Sequence, residues 1–74
     1  MSNNEVMIIS SDIGGQRIEL SCIKNEQGDI EQFKVSEIDE EAEVVVYILF
    51  FKEKDSAIHA YNEAIRGYFA ATFS

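Results

Sequence analysis

The sequence predicts an α+β domain in which four mainly antiparallel strands form one sheet and one C-terminal helix covers a face of it. Three observations support this prediction. Residues 17–24 alternate between apolar and polar types, glycine-containing turns separate the first three apolar segments, and residues 55–72 carry apolar side chains at helical spacing. The strands are expected at about residues 5–10, 16–24, 30–35 and 43–51, in a single domain spanning 1–74.

The second and third strands are predicted to form a hairpin. Segment 17–24 is typical of a strand with one buried side, and it places Cys22 on the apolar side, where it packs as a small apolar residue. Gly14-Gly15 before it predicts a tight turn, because glycine adopts positive φ without steric cost. The polar segment 25–29 predicts the next hairpin loop.

Residues 44–51 (VVVYILFF) are eight consecutive apolar residues, and they can be interpreted in two ways. β-Branched and aromatic side chains favour a strand, with 37–42 as a short helical turn or loop before it. The alternative is a three-stranded sheet followed by a helical hairpin, residues 37–51 and 55–72. Periodicity alone does not separate a short apolar strand from a buried helical segment.

The C-terminal helix is predicted from an apolar stripe about 140° wide, at roughly 100° per residue. Asp55 or Ser56 is expected to cap it. The stripe consists of Ala57, Ile58, Tyr61, Ala64, Ile65, Tyr68 and Phe69.

One helix covers one face of a sheet, whereas the fourth strand is apolar on both faces. We therefore expect an exposed apolar surface that packs against another protein molecule, most simply a second copy in a homodimer. The residues assigned to this self-association surface are Val45, Tyr47, Leu49 and Phe51.

The charge is concentrated in one quarter of the chain. The net charge is −8, and residues 26–43 contribute −7 of it, from eight acidic residues and Lys34. This distribution disfavours direct binding to nucleic acid or to an anionic membrane and favours a basic protein partner. The residues assigned to this partner surface are Glu26, Asp29, Glu31, Glu37, Asp39, Glu40, Glu41 and Glu43.

The function predicted from these features is that of a small acidic interaction module, an inhibitor or regulator of a basic and possibly nucleic-acid-binding protein. By analogy, such a factor would be phage- or plasmid-borne. The alternative is a homo-oligomeric accessory domain that uses its apolar strand, with the charge serving only solubility.

No motif in the sequence points to catalysis, and we expect neither an enzyme nor a bound metal or cofactor. His59 has no nucleophile beside it, and no cluster has the spacing of a metal site. The single cysteine, the absence of a signal-peptide pattern and the short apolar run at 44–51 predict a cytoplasmic protein without a membrane span.

Overall fold

Four strands and one helix make up the computed structural model, which describes residues 4–73 and the side chains of residues 4–67. The elements are β1 (Glu5–Ile13), β2 (Gln16–Lys24), β3 (Ile30–Asp39), β4 (Val44–Phe51) and α1 (Lys54–Phe73). The strands form one antiparallel sheet in the order β1-β2-β3-β4, and α1 packs across one face. The predicted α+β fold is therefore confirmed.

The tight turn at Gly14-Gly15 sets the start of β2 and therefore the length of β3. Ile13 pairs with Gln16 across the turn, and both glycines have positive φ, 56° and 85°, as a type I′ turn requires. Because β2 begins at Gln16, its first residues pair with the end of β3, and Gln16 lies opposite Asp39.

Two boundaries predicted from the sequence are corrected by this pairing. β1 continues to Ile13 rather than ending near residue 10, and β3 continues to Asp39 rather than ending near residue 35. The predicted helical turn or loop at 37–42 is wrong for residues 37–39, which are strand. The alternative helical hairpin is also wrong, because β4 pairs with β3 from Val44 to Phe51.

The other two hairpin loops are held by one polar side chain each. Asn25 Oδ1 accepts hydrogen bonds from the backbone N–H groups two and four residues later, at 2.9 and 3.0 Å. Asp39 Oδ1 accepts from those two and three residues later, both at 3.1 Å. Asn and Asp favour turns through such bonds. The β3–β4 loop then closes through Glu43, a non-glycine residue at φ 57°.

The core lies between the two central strands and the first half of α1. Cys22 is buried, as the alternation predicts, and the helical stripe is confirmed as far as Ile65. Tyr68 and Phe69 of the predicted stripe lie outside the described side chains. The core residues are Ile18, Leu20, Cys22, Phe33, Val35, Ala57 and Tyr61. The Tyr61 hydroxyl is satisfied by the hydroxyl of Ser11, 2.6 Å away.

Gly67 offers a test of helix energetics. It lies inside α1, and a Cβ built on it meets no described atom within 4 Å. Replacing a helical glycine by alanine reduces the backbone entropy lost on folding, so Gly67→Ala should raise the free energy of unfolding by about 0.5–1 kcal/mol. Urea unfolding followed by circular dichroism measures this. Gly14→Ala, at a turn position with φ +56°, should instead lower it. A loss of stability in Gly67→Ala would contradict the exposed setting of Gly67.

Candidate interaction surface

The two sides of the sheet differ in cover and in chemistry. Directly paired residues on neighbouring strands project to the same side, so the register divides the side chains into a helix side and an open face. The open face carries Glu5, Met7, Ser10, Asp12, Arg17, Glu19, Ser21, Ile23, Gln32, Lys34, Ser36, Ile38, Val45, Ile48 and Phe50.

A β-bulge divides the apolar set predicted for self-association. The register shifts between Glu37 and Ile38, so that one extra residue of β4 is inserted before Tyr47. Tyr47, Leu49 and Phe51 then lie opposite residues on the helix side, whereas Val45 lies on the open face with Ile48 and Phe50. Strict alternation along the sequence does not count the extra residue, and the four predicted residues therefore do not share one face.

Both sides of β4 nevertheless remain accessible. On the open face, Val45, Ile48 and Phe50 are 55%, 44% and 54% exposed. On the helix side, Leu49 is 44% exposed, although Phe51 packs against the core. The mismatch expected from the sequence, an apolar strand that one helix cannot cover, is present at the edge of the sheet.

The backbone bonding of β4 follows from the Gly14-Gly15 turn. The residues that flank a two-residue turn exchange backbone hydrogen bonds, and such pairs alternate along each strand. Even-numbered residues of β2 therefore form backbone hydrogen bonds with β1, and its odd-numbered residues form them with β3. In β3, the odd-numbered residues form them with β4. In β4, Tyr47, Leu49 and Phe51 bond to β3. Ile48 and Phe50 direct their N–H and C=O groups out of the sheet.

The two edges of the sheet are protected unequally. β1 is interrupted by a register shift between Met7 and Ile9 and carries the charged residues Glu5 and Asp12. β4 contains neither a charged residue nor a proline, and its segment 47–51 is regular. Bulges and charges are the devices that block pairing at sheet edges. β4 is therefore the less protected edge of the sheet.

The predicted acidic surface is not continuous. Glu26 and Asp29 lie in the β2–β3 loop and Glu31 at the start of β3. At the other end, Glu37 and Asp39 belong to the last residues of β3, and Glu40, Glu41 and Glu43 lie in the β3–β4 loop. β3 has ten residues between these loops, and at about 3.3 Å per residue the two loops are about 30 Å apart. Glu37 is buried. Burial of the Tyr47 hydroxyl is the main cause of a raised pKa of this tyrosine, and the hydrogen bond that the Glu37 carboxylate accepts from it also contributes.

One end of the sheet gathers acidic residues from two hairpins. We define the acidic end as Asp12, Asp39, Glu40, Glu41 and Glu43. The Glu40 N–H donates to the carbonyl of Gly15 at 2.9 Å, which joins the two turns. The pKa of Glu40 is raised above its ordinary value, mainly by a hydrogen bond with Asp12. Desolvation of Glu40 and the negative charge of Asp12 raise it further. Asp12 was not among the residues predicted, because only the pairing of β1 brings it here.

Arg17 is the base that the structure places at the acidic end. Its Nη1 lies 3.4 Å from Glu40 Oε2. Its Nε lies 3.0 Å from Glu19 Oε2, an ion-pair distance without the alignment of a hydrogen bond. Beside it is a cleft of about 340 Å³ lined by Arg17, Ile38, Glu40, Glu43, Val44 and Val45. The cleft is lined by both apolar and acidic side chains and adjoins the first residues of β4.

The centre of the open face is polar and internally paired. Lys34 Nζ lies 2.8 Å from Glu5 Oε1, and the hydroxyl of Ser21 donates to Glu5 Oε2 at 3.0 Å. The Lys34 hydrogen bond is the main cause of a pKa of Glu5 below its ordinary value, despite partial burial. This arrangement satisfies its own charges and connects both halves of the sheet.

Glu5→Gln should lower stability at neutral pH by about 1 kcal/mol, the range of a partly exposed, hydrogen-bonded ion pair. The folded-state pKa of Glu5 is depressed, so its stabilising effect is present above the unfolded-state pKa and is lost as pH falls through the folded-state pKa. The difference between variant and parent should therefore shrink from pH 7 to pH 3. A double-mutant cycle with Lys34→Met at both pH values measures the coupling, and a coupling of equal size at pH 3 would contradict this assignment.

Asp12→Asn should act in the opposite sense through Glu40. The folded-state pKa of Glu40 is raised, so its favourable contribution is present below the unfolded-state pKa and is lost as pH rises through the folded-state pKa. Removing the Asp12 charge should lower the pKa of Glu40. An NMR titration that follows the side-chain carboxyl carbon of Glu40 measures this pKa directly. The variant should also gain stability over the parent at pH 7 but not at pH 3. Glu26→Gln, at the far end of β3, is the matched control and should leave the titration of Glu40 unchanged.

The remaining candidate groups take no part in a built site. Cys22 is buried and His59 is exposed on α1. Among the described residues, no three side chains of His, Cys, Asp or Glu are arranged to hold a metal ion. Within the same part of the chain, no helix is long and apolar enough to cross a membrane.

Comparison with protein-family models, with curated proteins and with solved structures gave no match to this chain. The functional argument therefore depends on the geometry of β4 and of the acidic end.

Proposed function

We propose that this protein is a small acidic interaction module that binds a protein partner by strand addition at β4. The observation that carries the proposal is the exposed edge of β4, where outward backbone groups at Ile48 and Phe50 lie between apolar side chains on both sides of the sheet. Strand addition uses such an edge because main-chain hydrogen bonds give affinity and alternate side chains give specificity.

The acidic end determines the chemistry of the partner. It adjoins the first residues of β4, and the raised pKa of Glu40 reports carboxylates held close together with little compensation from Arg17. A cationic side chain entering the adjacent cleft would relieve that repulsion while its aliphatic part covers Ile38 and Val45. The surface therefore suits a strand with an apolar centre and basic flanks.

The biological role consistent with this surface is that of a regulator or inhibitor of a basic protein, including one that binds nucleic acid. Such a module would occupy the basic surface of its target, and electrostatic attraction would accelerate the encounter. Glu26, Asp29 and Glu31, at the other end of the sheet, lie farther away than a Debye length and would contribute little to the contact.

A pair of labelled peptides tests the proposed chemistry. Each has five alternating threonine and valine residues, flanked on both sides by two lysines in one peptide and by two glutamates in the other. Fluorescence anisotropy should show the lysine-flanked peptide binding at least about tenfold more tightly, a difference of about 1.4 kcal/mol. Its affinity should fall with added salt, because the flanks interact through exposed charges.

Two triple variants with the same change in net charge locate the contact. Glu40→Gln with Glu41→Gln and Glu43→Gln should weaken binding of the lysine-flanked peptide. Glu26→Gln with Asp29→Asn and Glu31→Gln should leave it nearly unchanged. Equal losses in both variants would reduce the acidic end to a general charge effect, and equal binding of the two peptides would contradict the proposal.

A further inference from the structure

The sequence itself supplies a strand that fits the β4 edge. We propose that β4 pairs antiparallel with β4 of a second copy of this chain, about a two-fold axis at Leu49, so that two four-stranded sheets form one sheet of eight strands. This inference rests on the proposed function, in which β4 is the binding edge, and a second copy and a basic partner strand would compete for that edge.

The backbone of β4 is self-complementary in this register. Segment 47–51 is the regular part of the strand, between the bulge and its end, and Leu49 is its centre. With the axis at Leu49, Ile48 of each copy lies opposite Phe50 of the other. These are the residues whose N–H and C=O groups leave the sheet, so each opposed pair exchanges two hydrogen bonds.

The side chains of the two copies also match. On the open face, Ile48 of each copy lies beside Phe50 of the other. In the single chain these side chains are about half exposed, at 44% and 54%. On the helix side, Leu49 faces Leu49 of the second copy at a position without hydrogen bonds, where paired side chains approach most closely.

Charge complementarity selects the antiparallel arrangement. The acidic residues Glu41 and Glu43 precede β4, and a mixed-charge segment, residues 52–55, follows it with Lys52 and Lys54 beside Glu53 and Asp55. Antiparallel pairing places Lys52 and Lys54 of each copy near the acidic start of β4 in the other, and it keeps the two acidic starts apart. Within the described residues, none of these side chains forms an ion pair in the single chain. A parallel second copy would instead bring the two acidic starts together, so these charges favour the antiparallel arrangement.

Cysteine cross-linking tests the register directly, in a Cys22→Ala background that removes the native thiol. Leu49→Cys should give a disulfide-linked dimer under mild oxidation, because Cα atoms at such paired positions lie about 4.5 Å apart, within the range that disulfides span. Tyr47→Cys is the matched control on the same side of β4. Position 47 of one chain would lie four residues, or about 13 Å, along the strands from position 47 of the other, so this variant should not cross-link.

Sedimentation over a concentration series supplies an independent measurement on unmodified protein. The parent should shift from the 8.4 kDa monomer to a species of twice that mass. Ile48→Lys should stay monomeric because it places a charge on the pairing edge. Met7→Lys makes the same charge change on the β1 edge, at similar exposure, and should still dimerise.

Three outcomes would overturn the inference: a parent that stays at 8.4 kDa throughout the series, equal cross-linking at positions 47 and 49, or equal loss of the dimer in both lysine variants. The peptide experiment separates this failure from failure of the proposed function. A monomeric protein that still binds the lysine-flanked peptide has a β4 edge made for a different partner. A protein that neither dimerises nor binds the lysine-flanked peptide would contradict both proposals.

Discussion

The two-residue turn at Gly14-Gly15 sets the geometry on which the rest of the sheet depends. Because both glycines adopt positive φ, β2 begins directly after β1 and pairs from its first residue. Because β2 starts at Gln16, its first residues lie opposite the end of β3, and Gln16 pairs with Asp39. The same turn also determines which backbone groups face outward three strands later, because hydrogen-bonded pairs alternate across an antiparallel sheet. The position of one turn therefore decides which residues of β4 can receive another strand.

The second determinant is the limited size of the core. Complete burial is confined to β2, β3 and the first turns of α1, where Ile18, Val35 and Ala57 are fully enclosed. Both edge strands are only partly covered, because a single helix is narrower than four strands. Among residues 4–73, no further helix or strand lies over them. Apolar side chains on the edge strands thus remain available for contacts that the monomer cannot make.

Sequence patterns were sufficient for the order and type of the elements and insufficient for the positions of the site residues. Alternation identified β2, glycines identified two turns, and the stripe from Ala57 to Ile65 identified the helix face. The acidic run at 37–43 concealed the end of β3, because carboxylates on a strand resemble a loop in composition. The bulge in β4 was not visible either, since it arises from pairing with β3 and not from any residue within β4. The approach of Asp12 to Glu40 likewise depends on pairing between residues distant in sequence.

An unprotected apolar edge creates a danger of open-ended sheet growth, and the unequal edges of this sheet limit it. Addition at β4 uses the same edge on both molecules, so a two-fold pair leaves no free β4. The edges that remain are the two β1 strands, each interrupted near Met7 and carrying Glu5 and Asp12. The net charge of −8 further opposes the approach of additional molecules. In the proposed antiparallel β4 pair, Lys52 and Lys54 of one copy would lie near the acidic start of β4 in the other, which would offset part of this repulsion. An assembly built this way ends at two copies.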